Sequence, residues 1–186
     1  MIAARKLSSW VLFSVCAAVM AANAQTSSHI NVPTVAARAE DVSSPEAIVR
    51  ADLECISGGV GVPRQWGRDV SLYDRHGFFV ATRTDPKTGK VTVRSETVQE
   101  YIDRDEASLV RDGVTERELG HHVYRYGNVA TVFSSYEAKT AAGKVVGRGV
   151  NVYHVYFDGK RWWIASVEWD EEGASNPIPP DLMPKR

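Results

Sequence analysis

Cysteine is almost absent from this 186-residue sequence, which contains only Cys16 and Cys55. Cys16 falls within an apolar run at the N-terminus, so Cys55 stands alone in the rest of the chain and no intramolecular disulfide is expected there. Cys55 lies beside Ile56 on a predicted helix. We interpret it as a small buried hydrophobic residue, although a lone cysteine can also act as a nucleophilic thiol.

The sequence also lacks a surplus of charge, since 22 Lys and Arg residues face 23 Asp and Glu residues, for a net charge of -1. This balance argues against binding to nucleic acid or to a membrane surface. There is no phosphate-binding glycine loop and no serine elbow. His121 and His122 are adjacent on a predicted strand, so they point to opposite faces and cannot both bind one metal ion. Adding His154 and Glu168 gives no recognisable ligand spacing, and we predict neither a metal nor a cofactor.

Long apolar runs are confined to the N-terminus. Arg5 and Lys6 precede an apolar or small-residue stretch at 7–22, and Ala-Asn-Ala at 22–24 has the small-x-small pattern of a signal-peptidase site. The stretch is shorter than the roughly 20 residues that a membrane span requires. The sequence therefore predicts a signal peptide over residues 1–24, a periplasmic or secreted location, and no membrane contact after cleavage.

Three regions are predicted to follow the signal peptide. Residues 25–43 are rich in Ser, Thr, Ala and Val without a sustained period, which indicates a flexible lead segment. Residues 44–172 have the length of a single domain. Residues 173–186 contain four prolines, which indicates an extended or disordered tail.

Helices are predicted in the first half of this domain. Ser44 and Pro45 provide an N-cap and a first-turn proline, and the helix that they begin ends before Gly58. A short second helix is predicted around Trp66. A third helix is predicted to begin at Ser95 as its N-cap.

Strands alternate with turn signals in the remainder. A strand at 77–84 is predicted to pair with a short strand at 91–94 across an Asp-Pro-Lys-Thr-Gly-Lys turn. The last third predicts three successive hairpins, with strands at 116–126, 129–139, 145–157 and 161–169. Helices that cover one face of an antiparallel meander define an α+β fold.

Three local motifs carry a family resemblance. Leu72-Tyr73-Asp74 looks like a helix-to-strand junction, the Gly-Asn-Val-Ala-Thr-Val stretch at 127–132 looks like the opening of a sheet strand, and residues 150–164 look like a terminal hairpin with a recurring tryptophan. In this order, over about residues 45–172, they resemble the nuclear transport factor 2-like superfamily, which includes SnoaL-like polyketide cyclases and ketosteroid isomerases. The resemblance implies a cone-shaped curved sheet with about three helices over its concave face, an enclosed apolar pocket, and a homodimer through the sheet. It implies no particular reaction, because this fold hosts enzymes, binders and assembly domains.

The alternation of side chains along a strand sorts the last hairpin into two faces. Matching this hairpin to ketosteroid isomerases implies that one set faces the concave side: Asn151, Tyr153, Val155 and Phe157 on one strand, and Trp163, Ala165, Val167 and Trp169 on the next. A one-residue bulge would reverse part of this assignment. The predicted pocket residues are Tyr73, Phe79, Asn151, Tyr153, Trp163 and Trp169. The alternative is that these same aromatic residues fill the core and leave no pocket for a ligand.

The resemblance argues against ketosteroid isomerisation. The position that matches the carboxylate base of ketosteroid isomerases falls near Ala81, which cannot remove a proton. Of the positions that match their hydrogen-bond donors, only the one at Tyr153 carries a suitable residue. The acids at 103–106 and 116–118 are interpreted as solvated. Weak alternative candidates for catalysis are Glu168, His154 and Asp74.

Three functions remain open at this stage. The favoured one is an exported domain that binds a small apolar or aromatic molecule. The alternatives are a small cofactor-independent isomerase, dehydratase or cyclase that uses Glu168, His154 or Asp74 with Tyr153, and an assembly module that dimerises through its sheet. An internal cavity that contains a titratable group would favour the enzyme.

Overall fold

The computed structural model describes residues 29–184, so the predicted signal peptide lies outside the described residues. The helices among them are α1 (Pro45–Ile56), α2 (Trp66–Val70) and α3 (Val98–Asp112), and a 3-10 turn spans Pro180–Leu182. The strands are β1 (Tyr73–Thr84), β2 (Val91–Thr97), β3 (Thr115–Tyr126), β4 (Val129–Lys139), β5 (Val145–Phe157) and β6 (Trp162–Glu171). No helix in this part of the chain has the length and apolar character needed to cross a membrane.

The two longer helices begin at capped positions. Ser44 accepts a hydrogen bond from the Ala47 N–H at 3.1 Å, and α1 starts where the sequence predicts. The predicted start of α3 at Ser95 was wrong, because β2 continues through Ser95 and Thr97 becomes the N-cap. Thr97 forms a capping box with Glu100, which satisfies backbone donors on both sides of the helix start.

The strands form one curved sheet in the order β2-β1-β6-β5-β4-β3. Strands β3 to β6 form the predicted antiparallel meander, and β4 and β5 have the predicted bounds. The sheet is mixed because β1 lies parallel to β6 while β2 pairs antiparallel with β1 at the edge. Strand β1 also begins at Tyr73, earlier than predicted, which brings that residue beside the centre of the sheet.

The helices lie against the concave face of the sheet, and the core fills part of the space between them. Its fully buried apolar side chains come from both layers: Ile48, Leu72, Ile102, Val132 and Ile164. Cys55 is also fully buried, which confirms its interpretation as a core residue. Burial raises the pKa of its thiol and so disfavours the reactive thiolate.

The described part of the lead segment is packed against the domain, in contrast to the flexible segment that its composition predicts. The Ile30 N–H donates to Asp103 at 2.8 Å, and the Arg68 guanidinium donates two hydrogen bonds to Asp41 at 2.7 and 2.8 Å. The Trp162 N–H donates to the Val42 carbonyl at 3.0 Å. These contacts are long-range in sequence, and no periodic pattern within residues 29–43 signals them.

The proline-rich tail also packs, on the outer (convex) face of the sheet. Ile178 and Leu182 are buried there, and the Ser135 hydroxyl donates to the Leu182 carbonyl. The tail passes so close to β3 that a Cβ on Gly120 would lie 2.7 Å from the Leu182 oxygen. The prolines keep the tail out of the hydrogen-bonded ladder, as expected, but its apolar side chains still attach it to the sheet.

Candidate functional site

A cavity of about 350 Å³ lies between the concave face of the sheet and the helices. Five of the six residues predicted for the pocket line it: Tyr73, Phe79, Asn151, Tyr153 and Trp169. The inward face assigned to β5 holds, since Asn151, Tyr153 and Val155 are buried on the side of the helices.

Trp163 is the sixth predicted pocket residue, and its placement was wrong. The register of the β5–β6 pair shifts between His154 and Val155. His154 pairs with Ser166 and Val155 pairs with Ile164, so Ala165 has no partner on β5 and forms a bulge. On the N-terminal side of the bulge, the residues of β6 that face inward are therefore Ile164 and Trp162, and Trp163 faces outward.

The Trp163 ring instead lies on the outer side of β6. Its Nε1–H donates to Asp158 at 2.8 Å, and the Arg161 guanidinium lies 3.4 Å from the ring centroid. These contacts fix the end of the last hairpin and are outside the cavity.

Asp52 on α1 forms the polar floor of the cavity. The Tyr73 hydroxyl donates to one of its carboxylate oxygens at 2.5 Å, and the Tyr153 hydroxyl donates to the other at 2.8 Å. Burial raises the pKa of Asp52, while the two tyrosine hydrogen bonds partly oppose this by favouring the ionised form. Sequence reasoning missed Asp52, although it lies four residues after Ile48 on the apolar stripe of α1.

Asp69, in the short helix α2, lies beside Asp52 and lines the same cavity. Burial and the adjacent Asp52 charge raise the pKa of Asp69 well above its usual range, which favours the protonated form of Asp69 beside Asp52. Its Oδ1 atom is buried and has no hydrogen-bond partner within residues 29–184. The pair therefore combines a carboxylate with a neutral carboxylic acid at the cavity surface.

Glu116 on β3 is the third carboxyl group in the cavity. Burial raises its pKa to about 7, against the opposing effect of a hydrogen bond that Asn151 Nδ2 donates to Oε1 at 3.3 Å. The predicted solvation of Glu116 was wrong, because Glu116 pairs with Ala138, whose side chain is buried on the inner face. A carboxyl group with a pKa near 7 can accept or donate a proton at neutral pH.

An aromatic wall stands opposite this polar floor. Phe79, Tyr101 and Trp169 contact one another edge to face, with centroid distances of 5.0 Å from Phe79 to Tyr101, 6.0 Å from Phe79 to Trp169 and 6.5 Å from Tyr101 to Trp169. Tyr101, on α3, was not among the predicted pocket residues, although it belongs to the apolar stripe of that helix. Such a wall offers flat apolar surface to a small molecule.

The rim of the cavity carries basic side chains that are already paired. Arg104 contacts the buried Glu96 carboxylate at 2.6 Å and Asp105 at 2.6 Å. Arg94 contacts the same Glu96 oxygen through Nε at 3.2 Å. The rim is thus close to electrically balanced.

The weak catalytic candidates lie on the outer face of the sheet. His154 Nε2 is 3.3 Å from Glu168 Oε2, and Asp74 accepts a hydrogen bond from Tyr156 at 2.5 Å. His154 and Tyr156 alternate with the inward Tyr153, so the sheet separates all three candidates from its hydroxyl and contradicts a shared site. Across residues 29–184, no three His, Cys, Asp or Glu side chains form a group that could hold a metal ion.

No family model matches the sequence, and no curated protein is similar to it. Among solved structures, a protein of unknown function with a cystatin-like fold from Nostoc punctiforme has a TM-score of 0.52 at 8% identity, over 75% of this chain and 97% of that chain. A second domain of unknown function with this fold, also from Nostoc punctiforme, has a TM-score of 0.52 at 10% identity, over 73% and 79%.

A nuclear transport factor 2-like protein of unknown function from Methylobacillus flagellatus has a TM-score of 0.48 at 11% identity, over 75% of this chain and 98% of that chain. At such identities the similarity concerns the fold and not the activity. The two Nostoc punctiforme structures show that the chain has an α+β cystatin-like fold, which agrees with the curved sheet and the concave-face helices that the resemblance in its sequence implied.

Proposed function

We propose that this protein is a cofactor-independent enzyme that binds a small molecule with an apolar or aromatic body in the cavity and transfers a proton through Glu116. The observation that carries the proposal is a titratable carboxyl group with a pKa of about 7 inside an aromatic-lined cavity. The proposal retains the binding function favoured by the sequence and selects the enzyme from among the alternatives. It replaces the outer-face candidates with a group that faces the cavity.

Glu116 has the properties of a general base or acid. A catalytic group works best when its pKa lies near the working pH, because both protonation states are then available. The Asn151 amide fixes one carboxyl oxygen, so the other is available to a bound molecule. A proton removed from a substrate by Glu116 leaves negative charge that nearby donors must stabilise.

Asp69 supplies such a donor on the floor of the cavity, beside Asp52 and its two tyrosines. A neutral carboxylic acid donates a hydrogen bond where a carboxylate cannot, and Asp69 is kept neutral by its surroundings. The Tyr73 and Tyr153 hydroxyls hold Asp52 from two sides, which fixes the geometry of the pair. The resulting chemistry is proton transfer of the kind used in isomerisation or dehydration.

Hydrogen–deuterium exchange tests this proposal with a panel of compounds, so the natural substrate need not be identified first. Mixtures of small aromatic and alicyclic compounds with acidic C–H bonds are incubated with the full chain in D₂O at pD 7, and proton NMR follows the loss of each C–H signal. We expect at least one compound to exchange faster with the protein than without it. Glu116→Gln should reduce this acceleration at least 100-fold, within the range typical of a lost general base.

Glu168→Gln is the matched control, because it makes the same chemical change on the outer face of the sheet. We expect it to retain the full rate of exchange. The enzyme proposal fails if compounds bind without accelerated exchange, or if Glu116→Gln exchanges as fast as the unchanged protein. Binding without exchange would leave the ligand-binding function that the sequence favoured.

Export and self-association remain proposals drawn from the sequence. The signal peptide predicted over residues 1–24 supports a periplasmic or secreted location, and the fold resemblance supports a homodimer through the sheet. The outer end of the β3–β4 hairpin supports the second proposal, because Tyr124, Tyr126 and Val129 are all exposed there on one face.

A further inference from the structure

The carboxyl groups that line the cavity have no basic partner in the part of the chain that the structure describes. Across residues 29–184, no Lys, Arg or His nitrogen lies within 4.0 Å of a carboxylate oxygen of Asp52, Asp69 or Glu116. Buried acids are usually paired with a cation, because an isolated buried charge is costly. Here the acids meet only tyrosine hydroxyls, the Asn151 amide and each other.

The basic side chains at the rim do not compensate this charge. Arg94 and Arg104 share the Glu96 carboxylate, and Arg104 also contacts Asp105. Asp112, another rim residue, is paired with Arg111 at 2.7 Å. Three guanidinium groups therefore pair with three carboxyl groups at the rim, and none of them pairs with the carboxyl groups inside the cavity.

Asp69 provides an independent indication that a ligand belongs here. Its side chain is 1% exposed and lines the cavity, yet its Oδ1 has no hydrogen-bond partner in the described part of the chain. Leaving a buried polar atom unpaired is unfavourable, because the atom has lost its hydrogen bonds to water. A ligand that carries a hydrogen-bond donor would satisfy this atom.

The aromatic wall is suited to the same ligand. The faces of Phe79, Tyr101 and Trp169 carry negative partial charge that attracts a cation within about 6 Å. The Tyr101 ring already makes one such contact with a cation, since the Arg104 guanidinium lies 5.3 Å from its centroid. The cavity thus combines aromatic surface with carboxyl groups that lack a counter-ion.

We infer that the natural occupant of the cavity is an organic cation, a small amine or ammonium compound whose charge lies against Asp52, Asp69 and Glu116 and whose apolar body lies along the aromatic wall. The inference rests on the proposed function and specifies the substrate class of the same site. The ligand supplies the positive charge that the protein omits, and an N–H group of the ligand donates to Asp69 Oδ1.

A cation at this position changes the protonation of the acids. Positive charge favours the ionised form of a carboxyl group, so binding lowers the pKa of Glu116 and of Asp69. Near pH 7 Glu116 is partly protonated in the empty cavity. Binding of an organic cation should therefore release protons to the solvent, whereas binding of a neutral molecule should not.

Three probes of matched size test the inference: 2-phenylethylammonium, 2-phenylethanol and phenylacetate. Isothermal titration calorimetry of the full chain is performed at pH 7 in phosphate and in HEPES, whose ionisation enthalpies differ and neither of which carries a net positive charge. We expect the ammonium compound to bind at least 10-fold more tightly than the alcohol and the carboxylate to bind most weakly. The buffer dependence of the heat should report net proton release for the cation alone.

Substitution of the acids then locates the bound charge. Glu116→Gln should reduce the preference for the cation over the alcohol at least 5-fold and diminish proton release, and Asp69→Asn should have the same effect on the preference. Glu168→Gln and Asp74→Asn, which make the same changes on the outer face, should leave both measurements unchanged. Proton release by the unchanged protein provides a test that needs no variant, should a substitution prevent folding.

The outcomes separate this inference from the proposed function. If the alcohol or phenylacetate binds as tightly as the ammonium compound, the inference is overturned while a small-molecule site remains. If the cation is preferred but no compound exchanges a proton in D₂O, the inference stands and the proposed catalysis fails. If no probe binds at millimolar concentration, the inference is overturned together with the proposed small-molecule site.

Discussion

The Tyr153 hydroxyl, at the centre of the sheet, donates a 2.8 Å hydrogen bond to Asp52 on the first helix. The two residues are 101 positions apart in sequence. Through this bond the concave face of the sheet and α1 share one buried carboxylate, which also receives the Tyr73 hydroxyl. The floor of the cavity is therefore also a joint between the two layers of the fold.

Tyr153→Phe is expected to lower the free energy of unfolding by about 2 kcal/mol at pH 7, because it removes a donor to a buried carboxylate and leaves the ring in place. The pKa of Asp52 should also rise, since the lost bond favours its ionised form. Urea denaturation measures the first effect. Tyr156→Phe removes a hydroxyl from the outer face, where solvent screens its bond to Asp74, and should cost under about 1 kcal/mol. Equal losses in the two variants would contradict a special role for the buried bond.

Glu116 should make stability depend on pH in a defined direction. Its folded-state pKa of about 7 exceeds the ordinary value of 4.5, so folding favours the protonated form. The folded state then binds more protons than the unfolded state between these values, and stability falls as the pH rises from about 4.5 to about 7. At about 1.4 kcal/mol per pH unit, the penalty at pH 8 is at most about 3.5 kcal/mol.

Glu116→Gln removes this titration, so the variant should be more stable than the unchanged protein at pH 8 and about equal to it at pH 4.5. Urea denaturation at a series of pH values checks this prediction. Glu168→Gln should follow the pH profile of the unchanged protein. A Glu116→Gln profile parallel to that of the unchanged protein would show that Glu116 ionises normally.

The sequence predicted most of the sheet but not the polar floor of the cavity. Alternation along β5 identified the inward face, because this strand pairs with β6 without irregularity from Asn151 to His154. The same reasoning failed for Trp163, because the bulge at Ala165 reverses the faces and leaves no mark in the alternation of residue types.

The carboxyl groups were missed for a different reason. Asp52 and Glu116 occupy inward positions of regular elements, so the helical stripe and the strand alternation could have identified both. Charged residues at such positions are commonly assigned to solvent, since burial of an unpaired charge is unfavourable. Their burial depends on partners from distant parts of the chain, and sequence spacing does not reveal those partners.

The outer face of the β3–β4 hairpin is expected to form a homodimer interface. Tyr126 is 88% exposed and Tyr124 is 63% exposed, and both lie on the same face as the exposed Val129. Sedimentation velocity should show a dimer at micromolar concentration, and Tyr126→Glu should shift it toward monomer by placing charge in the contact. Tyr156→Phe, on the same face but half-buried, serves as the control. A monomer at about 100 µM, well above the dissociation constant of a stable dimer, would contradict the prediction.

If residues 1–24 are a signal peptide, as the sequence predicts, expression in a bacterium that has a periplasm should give a defined product. Mass spectrometry of the periplasmic fraction should find a chain that begins at Gln25. Ala24→Tyr should block cleavage, because signal peptidase requires a small residue before the cut. Full-length protein confined to the cytosol would contradict the predicted export.

Arg64 is expected to be the buried cation on which stability depends most. Its side chain is buried, and its guanidinium donates to the carbonyls of Val62 at 2.7 Å and Gly58 at 3.1 Å, as well as to those of Leu109 and Val114. It thereby joins the end of α3 to the loop after α1, where the Leu109 and Val114 carbonyls also accept backbone N–H groups.

Arg64→Met keeps much of the side-chain volume but removes every one of these donors, so the Val62 and Gly58 carbonyls lose the hydrogen bonds that Arg64 gives them. We expect the free energy of unfolding to fall by about 3 kcal/mol, as measured by urea denaturation at pH 7. Arg111→Met, which removes an exposed guanidinium from the last turn of α3, should have no measurable effect. Arg64→Lys should recover only part of the loss, because an ammonium group cannot reproduce the planar fork that reaches several carbonyls at once. Full recovery by lysine would show that the charge alone, rather than the geometry of the guanidinium, stabilises this end of the cone.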